Sequence, residues 1–176
     1  MRITGGALAG AQLRAREGAG ERMPVEVAGT TVDELFRSRY EPMVRVAYLL
    51  VGSRAEAEDV VQDAFARIEL RWARLDNAEG YLRRCVVNRS YDVLRRRRLE
   101  QRFRLLHRDD RTTDLEADEL GDALASLTPK RRAAVVLRYY AGLPEREIAE
   151  VLRVRPGTVK SMLHRALAQL REVIDR

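Results

Sequence analysis

The stretch RPGTVKSMLHRA gathers Arg155, Thr158, Lys160, Ser161, His164 and Arg165 in one short segment. Apart from His164 these groups are cationic or hydroxylic and none is a carboxylate, so they can hold an anion. A second set, Tyr81, Arg84, Asn88, Tyr91 and Arg95, recurs at steps of three and four. Arg and Asn at that spacing can hold a phosphate backbone, and Tyr can stack on an unpaired base. A third set is acidic: Glu58, Asp59, Gln62 and Asp63 crowd one side of a helical pattern. These carboxylates have no His, nucleophile or Gly-rich phosphate loop beside them, so acid–base catalysis is not expected. Cys85 is the only cysteine, which rules out an intrachain disulfide or a cysteine-based zinc site, and its apolar neighbours suggest a buried thiol. His107 and His164 stand too far apart to suggest a metal site. The chemistry on offer is recognition, with no metal, cofactor or small-molecule substrate expected.

Helices must position all three sets. TVDE at Thr31–Glu34 has the spacing of a capping box, and Phe36, Tyr40, Val44, Ala47 and Val51 follow as an apolar stripe. Pro42 lies inside that stripe and is expected to bend the helix or delay its start. Gly52 ends it. SRAE at Ser53–Glu56 repeats the capping pattern, and Ala57, Val61, Ala64, Ile68 and Trp72 point inward from the next helix. A third helix is expected from about Ala78 to Arg98, with Leu82, Val86 and Val93 on its buried side. No strand alternation or hairpin turn occurs anywhere.

The pattern fails from about Leu99 to Asp122, where HRDDRTTDLEADELGD is acidic and poor in apolar residues, as a linker would be. Thr128-Pro129 is then a strong helix start, with Ala133, Val136, Leu137 and Tyr140 as its stripe and Gly142 as its stop. A further helix, Glu145 to Leu152, packs Ile148, Ala149 and Leu152. The last carries Val159, Leu163, Ala166, Leu170 and Val173. The expected fold is all-α: a Gly/Ala-rich tail at 1–30, a helical domain at 31–98, an acidic linker at 99–122, and a second helical domain at 123–176. Met23 is a second candidate start codon.

Composition agrees. The 176 residues are 45% hydrophobic but only 6% aromatic, which favours packed helices, and a net charge of +6 points to a polyanionic partner. No apolar run approaches a membrane span and no signal-peptide core is present, so a reduced, cytoplasmic protein is expected.

Two helices separated by a short turn, each with a narrow apolar face, fit the helix-turn-helix, whose second helix enters the major groove by its N-terminal part. Pro156 pre-sets that helix's first turn, and Gly157 keeps its entrance slim. Alone, this feature also fits a stand-alone regulator binding a palindromic operator. The acidic face alone fits an adaptor that holds a basic protein.

From about Val32 to Arg171, the chain resembles the small extracytoplasmic-function (ECF) members of the bacterial sigma-70 family. AEAEDVVQDAFARI resembles that family's core-polymerase-binding helix, and NAEGYLRRCVVNRSYDVLRRRR its promoter −10 helix. LTPKRRAAVVLRYYAGLPEREIAEVLRVRPGTVKSMLHRALAQLR resembles its −35-binding domain. The resemblance implies a non-catalytic initiation factor whose partners are promoter DNA and core RNA polymerase, at the β′ clamp helices and β flap. An anti-sigma factor is a further partner that it allows. It implies polymerase docking through Asp59, Val60, Gln62, Asp63 and Phe65. It implies −10 opening and capture of a flipped base through Leu75, Asp76, Asn77, Tyr81, Arg84, Asn88, Tyr91 and Arg95. It implies −35 reading through Arg155, Thr158, Lys160, Ser161, His164 and Arg165. Two positions depart from the family pattern. Arg153 stands where Gly is usual, which would strain a turn of positive φ, and Met162 replaces an Arg, which removes a cation from the DNA-facing helix.

Overall fold

In the computed structural model, residues 31–107 and 119–174 are described, and they contain helices and no strand. The expected tail, with Met23, lies outside them, as does the 108–118 part of the linker.

Helix α1 spans Val32–Val51 and opens on the expected capping box: Thr31 accepts from the Glu34 N–H, and Glu34 accepts from the Thr31 N–H. The helix starts ahead of Pro42 and continues through it, so the delayed start does not occur. Leu35, Met43, Val44, Val46, Ala47, Leu50 and Val51 are buried, while Phe36 is exposed and Tyr40 half-buried. The buried stripe therefore lies slightly to one side of the expected one. Gly52 ends α1 at φ 76°, and its N–H bonds the Tyr48 carbonyl in an αL cap.

Helix α2, Arg54–Glu69, has only half of its expected box. Ser53 accepts from the Glu56 N–H, but the Glu56 carboxylate turns away to pair with Arg97. Ala57, Val61, Ala64 and Ile68 are buried as expected, and Trp72 is buried in a single 3₁₀ turn, Trp72–Arg74. Helix α3 runs from Ala78 to His107, well past the expected end at Arg98. Arg97 donates to Glu56 and to the Val51 carbonyl and so fixes its turn of α3 against the first two helices. The acidic stretch thus loses its first part to helix.

In the second half, α4 covers Glu119–Ser126, ahead of the expected boundary at 123. Helix α5, Pro129–Val135, begins at Thr128-Pro129 as expected and passes into a π turn, Val136–Tyr140. The wider turn rotates the later side chains: Ala133, Val136 and Leu137 are buried, but Tyr140 swings out and is 45% exposed. Gly142, at φ 68°, closes the element. Helices α6, Glu145–Leu152, and α7, Pro156–Ile174, form the helix-turn-helix. Val159, Leu163 and Ala166 are buried beneath α7, Leu170 is half-buried, and Val173 lies at the exposed end.

The two halves pack against each other, and their apolar residues form one continuous core. Arg132 of α5 donates to the Leu50 carbonyl at the end of α1 (2.6 Å) and to the Ala125 carbonyl at the end of α4 (3.0 Å). One guanidinium thus satisfies carbonyls that two helix ends leave open. Burial, with Arg98 and Arg97 nearby, lowers its pKa.

Candidate nucleic-acid interface

The turn between α6 and α7 sets the angle of the candidate recognition helix. It is a full Schellman motif: the Arg153 N–H bonds the Glu150 carbonyl and the Val154 N–H bonds the Ala149 carbonyl. Arg153 sits in the left-handed region at φ 53° and ψ 52°, where a side chain crowds its own carbonyl. The departure from Gly therefore costs backbone strain, as expected. Pro156 begins α7, and a Cβ on Gly157 would meet nothing within 4 Å. The slim entrance is thus open to solvent and serves no packing inside the chain.

Arg155, just ahead of α7, and Lys160, Ser161, His164 and Arg165 on it are exposed, and Thr158 is half-buried. The Ser161 hydroxyl donates to the Thr158 carbonyl, leaving its lone pairs and the cations outward. No ion pair among the described residues neutralises Lys160 or Arg165. Met162 is half-buried against the core, so this position contributes packing in place of charge.

The stripe on α3 has a different character. Asn88 and Arg95 are exposed, whereas Tyr81, Arg84 and Tyr91 are half-buried. The Arg84 Nε and the Tyr91 hydroxyl are buried without a hydrogen-bond partner, and burial pushes the Tyr91 hydroxyl well above its ordinary range. Leu75, Asp76, Asn77, Tyr81 and Arg84 line a groove of about 330 Å³. Asn77 has a structural duty there that the sequence reading missed: its Oδ1 accepts from the Gly80 N–H at 2.7 Å and caps α3. The signal was present, as Asn directly before a helix. Cys85 is buried, and burial raises its thiol pKa against a weaker opposing hydrogen bond from Tyr81.

On α2, Asp59 and Gln62 are exposed, and Asp63 pairs with Arg89 of α3 at 2.8 Å. That pair offsets the like-charge repulsion between Asp59 and Asp63, which lie one turn apart on α2. Val60 is 1% exposed and Phe65 6%, so neither offers a docking surface in this structure. Their side chains point to the core: Val60 sits among the buried aliphatics, and Phe65 meets the Phe36 ring edge-on at 4.9 Å between centroids. Of the five docking residues that the resemblance implies, Asp59, Gln62 and Asp63 remain accessible, beside a half-buried Glu58 that pairs with Arg54. Among the described residues no His/Cys/Asp/Glu group could hold a metal ion, and no helix is long and apolar enough to cross a membrane.

Comparison with known proteins fits both halves at once. Residues 35–100 match the family model for sigma-70 region 2, and residues 117–170 match that for sigma-70 region 4. The RNA polymerase sigma-E factor of Streptomyces coelicolor is 39% identical over 149 residues, 80% of this chain and 84% of the relative. The chain belongs to the sigma-70 family. The ECF RNA polymerase sigma factor SigE of Mycolicibacterium smegmatis is 36% identical over 82% of this chain and 62% of its own length. The corresponding SigM of Mycobacterium tuberculosis is 35% identical over 88% and 83%. These matches place the chain among the ECF sigma factors, which direct promoter-specific initiation of transcription. They leave the stand-alone regulator without support, since such a protein needs only the second half. The fold agrees with two solved structures. The sigma factor RpoE, solved in complex with the anti-sigma factor NepR from Bartonella quintana, gives a TM-score of 0.69 at 21% identity, over 81% of this chain and 96% of the other. CnrH, solved with the cytosolic domain of CnrY, gives 0.63 at 23% identity, over 82% and 87%.

Proposed function

We propose that this ECF sigma factor divides its work among three faces and carries no catalytic group of its own. Asp59, Gln62 and Asp63 dock on core RNA polymerase. The α3 stripe and its groove open the −10 element and hold an extruded base. The exposed start of α7 reads the −35 element. The observation that carries this reading is the contrast between two exposed surfaces: un-neutralised cations and hydroxyls on α7, and carboxylates on α2. The first suits a phosphate backbone and base edges, while the second would repel DNA and suits a basic protein surface. Unstacking a base costs a few kcal/mol, which stacking on Tyr81 in the groove and polar contacts along the α3 stripe offset.

Each DNA face is small, so affinity depends on polymerase fixing both; once one face binds, the other acts at a high effective concentration. The free protein accordingly binds duplex promoter feebly. Such a factor works in the cytoplasm, and an anti-sigma factor, the kind of partner with which RpoE was solved, is a further partner. Run-off transcription with core RNA polymerase over a genomic fragment library tests the reading and yields the promoter consensus. Asp59→Lys should abolish both transcription and retention on core polymerase while the helical circular dichroism is unchanged. Full retention by that variant would overturn the assignment of α2.

A further inference from the structure

A second cavity, of about 280 Å³, is bounded by the end of α1, one turn of α3, α4 and the start of α5. It shares no lining residue with the groove beside Tyr81. Three arginines line it, Arg97 and Arg98 of α3 and Arg132 of α5, and their partners are unequal. Arg97 gives its donors to the Glu56 carboxylate and the Val51 carbonyl. Arg132 meets only backbone carbonyls, those of Leu50 and Ala125, and its Nε–H is buried without a partner. Arg98 is exposed and forms no hydrogen bond or ion pair among the described residues. The one carboxylate on the lining, Asp122 of α4, is exposed and pairs with none of the three. Burial, and then the repulsion of Arg98 and Arg97, disfavour the Arg132 charge. Such an excess of positive charge in a half-buried place is costly until an anion joins it.

We propose that this cavity is a binding site for the phosphoryl group of a small molecule, with the Arg98 guanidinium and the Arg132 Nε–H as its donors. A phosphoryl dianion balances both uncommitted cations, whereas a carboxylate balances one, and its oxygens suit the planar fork of Arg. Asp122 repels an anion and so lowers the affinity without cancelling two cations. The volume lies at the small end of the range for ligand sites. It admits inorganic phosphate or the phosphate end of a nucleotide, with Tyr48, Leu49 and Leu94 offering apolar surface to the remainder. Arg98 belongs to the first half of the chain and Arg132 to the second, so an anion held by both binds only when the halves are together and favours that state by mass action. The site thereby couples the posture of the chain to the level of a phosphorylated small molecule. It uses none of the side chains assigned above to polymerase or promoter.

The test titrates the full chain with inorganic phosphate and, separately, with AMP in chloride buffer, read by calorimetry. Arg98→Gln removes the unpaired cation. Arg96→Gln is the control, because Arg96 pairs with Glu100 and does not line the cavity. Circular dichroism verifies that both variants keep their helices. Wild type and Arg96→Gln should bind one phosphate per chain, and Arg98→Gln should bind it about tenfold more weakly, the loss of one charge-assisted contact. Phosphate should also raise the thermal midpoint of the first two proteins more than that of Arg98→Gln. Tighter binding of AMP than of phosphate supports the site with a nucleotide as its ligand, and equal or weaker binding supports it with the free anion. An equal rise in midpoint for all three proteins reflects exclusion of phosphate from the protein surface and overturns the site. So does the absence of binding heat with wild type. A loss of duplex promoter binding in Arg98→Gln, with no response of wild type to phosphate, gives Arg98 to DNA instead and likewise overturns it.

Discussion

Replacing Arg153 by Gly should stabilise the helix-turn-helix, and the structure supplies the size of the effect. At φ 53° and ψ 52° the residue is in the left-handed region, yet its side chain is exposed and makes no hydrogen bond or ion pair among the described residues. Removing the Cβ relieves about 1–2 kcal/mol of local crowding. Glycine returns about 0.4–1 kcal/mol by widening the unfolded ensemble. The difference is a net gain of about 0.8 kcal/mol, or a Tm rise of about 2 °C for a chain of this size. Urea unfolding followed by far-ultraviolet circular dichroism measures it, with an unchanged m-value as the sign that neither end state was altered. Arg153→Ala is the control, because it keeps the Cβ and the strain and should match the wild type. Should the Gly variant be no more stable than the Ala variant, the strain account is wrong.

Three further outcomes follow from the same geometry. Lys160→Ala and Arg165→Ala should each weaken duplex −35 binding and lower the slope of log K against log salt by about 1, measured with polymerase present. Gly80→Ala would put a Cβ 2.8 Å from the Asn77 Nδ2, displacing the cap of α3 at a cost of about 1 kcal/mol in chemical denaturation. Cys85 should resist alkylation until the chain unfolds. Because burial raises its thiol pKa above the ordinary 9.0, the folded state holds the proton longer than the unfolded one, so its contribution to stability is complete below about pH 9 and is lost as pH rises through the folded value. Denaturation midpoints across alkaline pH, compared with Cys85→Ala, isolate that contribution.

Helix identities were readable wherever local chemistry decides them. The Thr31–Glu34 box, Gly52, Thr128-Pro129 and the α6–α7 turn all stand where residue types and spacing placed them. The misplacements share a cause, which is contact between residues distant in the chain. Glu56 left its own helix cap for Arg97, an interaction no local pattern announces. The stripe through α5 failed at Tyr140 because a π turn shifts the helical period that the reading assumed. Val60 and Phe65 resembled docking residues by motif, but burial is set by three helices together. The contact between α3 and α6 was invisible for the same reason: Glu147 reads as a solvated helix residue until α6 is laid beside α3 and Arg83 reaches it.

The end of α1 is held by guanidinium groups of different ownership. Arg97 of the first domain takes the Val51 carbonyl, whereas Arg132 of the second takes that of Leu50. Adjacent peptide oxygens therefore experience different fates when the halves part: one keeps its partner and the other is handed to water. A carbon-13 label at Leu50 would shift its infrared stretch on opening while a label at Val51 would not, which turns this one helix end into a native gauge of the chain's working posture.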